Sequence, residues 1–527
     1  MIDSNDTPTG PLDFSTVLAS DVEPVRAAAL MQEIVAGEHG IQPAELWVLL
    51  STHTEQFSAA DPAILAGLFR ALHTHTLRDQ RSAGDGGQAF AELANIPSQA
   101  MAMMLHACPE GTPNKHLLLH VMTLARTADH LQVVVPLLHH ADDWMQVGQV
   151  FAPLMQHSGW PIAAVFPGLL HMMDRPAIAS PALDLANFLF RKKRVKDHPA
   201  AERKSHLITL LSAVIHRLEQ LERSPQEFGE NVEDVQRVLS EAVAIAVSLC
   251  DALALIGDDT AIAKLSAAMQ VRHRRVQCEA AGALARFGDV EGQERLVELA
   301  SEPSVRLRAI AYADELGLLD EIDPRYQTDA ALAEAELAVW LCQPSQMAVP
   351  PTSIEVVDMK RMLWPGYSDP VDCFLVRFEY DLGPRHATST VYSNIGIAGP
   401  VTHAFAADMG DLPMDDIYAA YAGWTAEHPD IFTVAIDQMQ SSHRRLLAPI
   451  DDHLRREGYE NVVPAGIGFL LDEHAGLFSA HRNDVNCVVA SDGFETVDFA
   501  IEGRHRPLTP TDAWNIFMGR KMLRTFN

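Results

Sequence analysis

The chain has 527 residues, more than one ordinary core organises, so it reads as about two to four domains or an extended repeat array. Hydrophobic residues make up 48% and charged residues 21%, enough apolar surface to fold and a composition that excludes wholesale disorder. Seventy acidic against forty basic residues give a formal charge of -30, which repels phosphate backbones and anionic lipid; neither nucleic acid nor a membrane is an expected partner.

Residues 1–20 read as a loose tail in which Asp3, Asn5, Asp6, Thr7, Pro8 and Gly10 crowd the start. The segment lacks the basic and apolar regions of a signal peptide, and a cytoplasmic protein is expected. From residue 21 to 343, helix-length segments with apolar residues at 3.6 spacing follow one another, separated by short breaks of Gly, Pro or Asp. The first opens on Asp21 as a cap, holds Pro24 near its first turn and sets Val25, Ala28, Ala29 and Ile34 along one side. Later segments begin near Asp61, Pro113, Pro161, Pro181, Val232, Asp259 and Pro303. Between Trp144 and Met173 no charged residue occurs, but Pro153, Pro161 and Pro167 break the run below the roughly 20 continuous apolar residues of a membrane span. Two buried helices meeting near Ser158 and Gly159 are expected there.

Internal periodicity is plainest further along. Val276, Ala280, Leu284, Phe287 and Gly288 occupy helix-face positions in one segment, and Val305, Ala309, Ala313, Leu316 and Gly317 repeat them 29 positions later. Partner helices precede each, with Leu265, Ala268 and Met269 before the first and Leu296, Leu299 and Ala300 before the second. These two units resemble HEAT repeats, especially the short form of phycobilin lyases and related bacterial proteins. That form pairs an outer helix with an inner one opening on a Val-Arg-like motif, here Arg275-Val276-Gln277 and Ser304-Val305-Arg306. The resemblance covers residues 258–318 and implies helix pairs stacked into a curved superhelix, each hiding its neighbour's apolar face. It also raises chromophore handling, although no bilin-specific residue set accompanies the repeats.

Residues 344–352, with Pro344, Pro350 and Pro351, read as a linker, and residues 353–527 as one α+β domain. Strands are expected at Ile354–Val357, Cys373–Tyr380, Thr388–Tyr392, Val485–Ala490 and Thr496–Ala500, with Phe374, Val376, Phe378 and Tyr380 on one face. Helices are expected at Met414–Glu427, His443–Glu457 and Thr511–Arg524. The fold class is therefore multidomain, an all-α HEAT-like solenoid followed by a C-terminal α+β domain.

Chemistry-bearing motifs are sparse. Six scattered cysteines without a C-x-x-C pair exclude a disulfide framework and a zinc site, and most are expected to be buried thiols. The basic cluster Arg191, Lys192, Lys193, Arg194 and Lys196 reads as a solvated helix end. Gly466 and Gly468 lack the third glycine of a dinucleotide loop and suit a glycine-bearing strand or turn. Gly366-Tyr367-Ser368-Asp369-Pro370 falls short of a nucleophile elbow, since a strand rather than a helix follows, and reads as a turn. Of the 24 histidines, only His116 and His120 among the conspicuous pairs share a helix face, and no carboxylate motif joins them; no metal and no cofactor is expected. In Ser393–Asp408 a strand is expected to end near Tyr392, a loop with Gly396, Gly399 and Pro400 to follow, a short helix to carry His403 and Asp408, and Asn394, His403 and Asp408 to line a pocket. No catalytic residue stands out. The expected role is a protein–protein interaction scaffold that holds a protein or peptide partner, in an oligomeric state the sequence leaves open. The alternative is an enzyme, a hydrolase for instance, with its site in the C-terminal domain.

Overall fold

The structure, a computed structural model, describes residues 12–19, 22, 24–37, 39–82, 92–139, 147–343, 345–381, 391–399, 404–405, 410, 412–425, 432–470, 473–501 and 510–526. Every described element up to residue 343 is helical, and strands begin at Ser353. The chain forms two compact units, Met1–Gly292 and Gln293–Asn527.

The first unit holds α1 (Phe14–Val17), α2 (Pro24–Ala36), α3 (Pro43–Ser51), α4 (Pro62–Ser82), α5 (Ser98–Ala107), α6 (His116–Ala125), α7 (Ala128–His139), α8 (Val147–Gln156), α9 (Pro176–Arg191), α10 (Lys204–Arg223), α11 (Val232–Ile256), α12 (Ile262–Met269) and α13 (Arg274–Arg286). After α8 only two 3-10 turns, Ile162–Ala164 and Gly168–Met172, stand where a second apolar helix was expected. Prolines at 161 and 167 remove backbone donors from that stretch and keep the turns short.

Apolar spacing decides how these helices pack. In α11, Val238, Ala242, Ile245, Leu249 and Leu253 follow one another three or four residues apart and are all buried. Asn231 caps its start by accepting the Asp234 N–H at 2.8 Å, and Gly257 ends it in the left-handed conformation at φ 74°. The helix is long and apolar enough to cross a membrane, yet half of its apolar window is buried, against α9, α10 and α13. Successive contacts run from α2 to α4, α6, α8, α9, α11 and α13. A second succession joins α3, α5 and α7, and α10 packs on α12. Members of the two sets meet as α3 on α4, α5 on α6, α7 on α6, α10 on α11 and α12 on α13.

The second unit continues with α14 (Val290–Leu299), which contains the division, α15 (Pro303–Leu316) and α16 (Asp329–Leu341). The positions repeated 29 residues apart are buried in both places: Val276, Ala280 and Leu284 in α13, Val305, Ala309 and Ala313 in α15. Left-handed glycines, Gly288 at φ 78° and Gly317 at φ 71°, follow the two helices.

Two antiparallel sheets come next. The first has the order β1 (Ser353–Met362), β2 (Val371–Asp381), β3 (Val391–Ala398) and β4 (Ala404–Phe405), and α17 (Met414–Thr425) follows it. The second has the order β5 (Phe432–Ala435), β6 (Glu460–Leu470), β7 (Glu473–Arg482), β8 (Val485–Ser491) and β9 (Thr496–Ala500). Between β5 and β6 lies α18 (Ser441–Arg456), and α19 (Pro510–Phe526) closes the series. As expected, Phe374, Val376, Phe378 and Tyr380 share a face, packed against Ala333, Leu337 and Leu341 of α16. The opposite face, with Cys373, Leu375, Ile395 and Ile397, belongs to a core that also holds α17, α19 and the residues Ala475, Leu477, Ala490, Val497 and Phe499 of the second sheet. Leu447, Ile450 and Leu454 of α18 cover the far side of that sheet. Helix, sheet, helix pair, sheet and helix thus form successive layers.

Where α17 and α19 cross, backbone meets backbone. A Cβ on Gly519 would overlap the carbonyl of Ala419, and one on Gly423 would strike the carbonyl of Asn515. Both halves of this region repeat one plan, a helix, four strands and a helix: α16 to α17, then α18 to α19. Ladder irregularities at Val357 in β1 and at Ala465 in β6 each fall five residues before the last paired residue, and both side chains join the central core. Asp416, Tyr418, Tyr421 and Gly423 of α17 recur as Asp512, Trp514, Phe517 and Gly519 of α19, each 96 positions later.

Candidate functional site

The pocket expected around Asn394 takes a different form. β3 runs on to Ala398, so Gly396 lies within the strand and pairs with Val376, where a loop was expected. Ile395 and Ile397 give the sheet two more inward apolar residues, and this prolongs the ladder. Asn394 is 2% exposed, its Nδ2 donates to the Tyr392 hydroxyl at 3.0 Å and its Oδ1 accepts the Ile395 N–H at 2.8 Å. The amide therefore serves its own strand. His403 and Asp408 lie outside the described residues.

Ser368 sits in an exposed turn before β2, with its hydroxyl 3.2 Å from Asp369 Oδ2. Gly466 and Gly468 lie inside β6. Beneath α19 a cavity of about 10 Å³, room for roughly one water molecule, is lined by Thr433, Gly468, Gly476, Leu477 and Trp514. None of the six cysteines is in a disulfide, and five are buried. Burial pushes the Cys108 thiol up to about 11 and Cys373 up to about 12, the opposite of what a nucleophile needs.

A denser polar arrangement lies on α9, α11 and α13, which pack in that order. Ser180 of α9 and Ser248 of α11 bring their hydroxyls to 2.8 Å, and Ser248 donates to Asp184 Oδ1 at 2.7 Å. Asn187 donates through Nδ2 to the Ser248 carbonyl at 3.2 Å, and its Oδ1 lies 2.9 Å from His198 Nε2. Because the Ala200 N–H donates to His198 Nδ1 at 3.2 Å, the imidazole is neutral with its proton on Nε2. Burial, opposed by Asp251, pushes His198 down to about 4.

Asp184 carries the functional interest. Its side chain is exposed, yet crowding by protein raises its pKa; the Ser248 hydrogen bond and Arg275 oppose that rise, and Asp251 and Glu279 add to it. Asp184 is thus an accessible carboxylate whose charged form is penalised by the surrounding protein. Arg191 forms an ion pair with Asp251 beside it. Arg194 donates to the His157 carbonyl at 2.7 Å and lies over the Phe188 ring. Two members of the basic cluster expected to be solvated are thus tied into the packing. The sequence offered no sign of this arrangement, whose partners come from helices about 60 residues apart.

On the same succession of helices, His73 Nε2 of α4 lies 2.9 Å from His120 Nδ1 of α6. Burial, then His116, pushes His73 down to about 4; burial, then His73 and His116, pushes His120 down to about 3. Both rings are neutral near pH 7 and share one hydrogen bond. Among the described residues no three His, Cys, Asp or Glu side chains gather in a way that would hold a metal ion.

No protein-family model, no curated protein and no solved structure matches this chain.

Proposed function

We propose that the helices of the first unit form a HEAT-like solenoid whose inner row holds a protein or peptide partner, so that the chain works as an interaction scaffold. The observation that carries this reading is the double succession of helices, with α4, α6, α8, α9, α11 and α13 in one row and α3, α5 and α7, then α10 and α12, in the other. Alternate helices that touch in two rows are the geometry of stacked helix pairs, and stacking of that kind leaves an extended concave face. The 29-residue recurrence of buried Val, Ala and left-handed Gly positions fits the same scheme.

The inner row carries the polar groups a partner would meet. Asp184, Arg275 and the Arg191–Asp251 pair offer both signs of charge on α9, α11 and α13, which favours a polar partner segment over an apolar one. The test immobilises three full-length forms and identifies what each retains from native lysate by quantitative mass spectrometry. One is wild type, one carries Asp184→Lys with Arg275→Glu on the inner row, and one carries Lys264→Glu on α12. A specific partner kept by wild type and Lys264→Glu and lost by the inner-row variant is expected. Equal retention by all three forms would refute the inner-row assignment.

A further inference from the structure

The repeated plan of the second unit differs between its halves at one place. In the second sheet the outer edge of β6 is covered by β5, which pairs antiparallel from Phe432↔Phe469 to Ala435↔Gly466. Within that ladder Val434 stands opposite Ile467, and Ile467 is 1% exposed. Counting back from the last paired residue of each first strand places Met359 of β1 where Ile467 stands in β6. Among the described residues β1 ends its sheet, and Met359 is 56% exposed.

The matched ladder irregularities at Val357 and Ala465 fix this correspondence, and β5 pairs with β6 on the side of the irregularity that corresponds to Asp358–Arg361. The irregularity therefore does not block pairing at that stretch. An exposed apolar residue in the middle of an open strand edge is what soluble sheets ordinarily avoid by charge or cover.

We propose that β1 joins two copies of this chain, edge to edge and antiparallel, so that their first sheets become one. A two-fold register centred on Met359 keeps side chains of one face opposite one another, as the period of two requires. It sets Met359 on the partner's Met359 and, twice, Asp358 opposite the partner's Lys360; within each chain Lys360 also pairs with Asp415 and Asp358 hydrogen-bonds Tyr418. Met359 of the second copy then does for this edge what Val434 does for β6. The self-complementary order of Asp358, Met359 and Lys360 selects a second copy over a strand from another protein.

Light scattering on the full-length chain tests this. Wild type is expected at twice the chain mass. Met359→Glu and Met359→Lys should each halve that mass, since like charges then face each other, with circular dichroism unchanged because the site is exposed. Mixing the two variants in equal amounts should restore the doubled mass. A wild-type monomer throughout the concentration range, a dimer that survives Met359→Glu, or capture of a different protein's strand by monomeric wild type would each overturn the proposal.

Discussion

Arg306 follows Val305 in α15, the second of the two segments spaced 29 residues apart, and its side chain is 4% exposed. Its guanidinium donates to the carbonyls of Ala300 at 3.0 Å, Ser301 at 3.2 Å and Ala331 at 2.6 Å, pairs with Glu334 Oε2 at 3.1 Å and lies over the Tyr326 ring. Glu334 in turn accepts the Val356 N–H through Oε1 at 3.2 Å, so one residue of α15 links α16 to the edge strand β1. Removing the cation leaves buried acceptors unmet, and Arg306→Met should cost about 3–5 kcal/mol in urea unfolding. Lysine cannot reproduce the planar fork, so Arg306→Lys should recover little of that loss. The histidines make a second residue-scale prediction. An unfolded chain takes up protons at His73, His120 and His198 near pH 6.5, whereas the folded chain leaves them neutral down to about 4, 3 and 4. Between these limits the unfolded state binds more protons, so stability falls on acidification from about pH 6.5 and the fall levels off near pH 4 to 3. Each histidine contributes at most about 1.4 kcal/mol per pH unit. Unfolding curves measured from pH 7.5 to 4.5 should show a shallower slope for His73→Gln/His120→Leu; an unchanged slope would contradict the burial assigned to the pair.

At the level of elements, helix ends and crossings set the expectations. Asn231→Ala removes the cap of α11 and should lower stability by about 1 kcal/mol. Gly519→Ala is far more severe, because the methyl must occupy the place of the Ala419 carbonyl oxygen, and separating α17 from α19 opens the core shared by both sheets. A loss of at least about 3 kcal/mol, seen as a lower Tm, is expected. Legibility in the sequence followed burial. α18 shows one apolar side, with Leu447, Ile450 and Leu454 buried, and the helices expected at Met414, His443 and Thr511 match α17, α18 and α19 to within a few residues. β7 was not readable: Ala475 and Leu477 enter one core while Phe478 and Ala480 enter another, so both faces are apolar and the alternation vanishes. For β6 the sequence left a glycine-bearing strand or turn open at Gly466 and Gly468, and the structure has the strand. The candidate site fared worse, since Asp184, Ser248 and His198 meet only through helix packing that no local pattern announces.

For the whole molecule, two internal periods matter, and only one was read. The 29-residue recurrence stands out because its positions fall in adjacent segments of similar composition. The 96-residue recurrence of Asp, aromatic, aromatic and Gly in α17 and α19 is equally present but sits between strands of unequal length, which blurs it. Layering makes a prediction at this scale. Because α17 and α19 lie between the two sheets, their amides should exchange with solvent more slowly than those of β5, a short edge strand, in hydrogen-exchange mass spectrometry. Comparable rates would argue against a single core joining both halves.

The crossing at Gly423 and Gly519 also constrains how this chain can vary. Two helices that touch through bare main chain tolerate no side chain at either point, whatever its polarity. A library randomised at Gly423, Gly519 and the exposed positions Met414 and Trp424, and selected only for soluble expression, should therefore return glycine at both glycine sites while the exposed positions drift freely. Ancestry would then be written most durably where the molecule has no side chain at all.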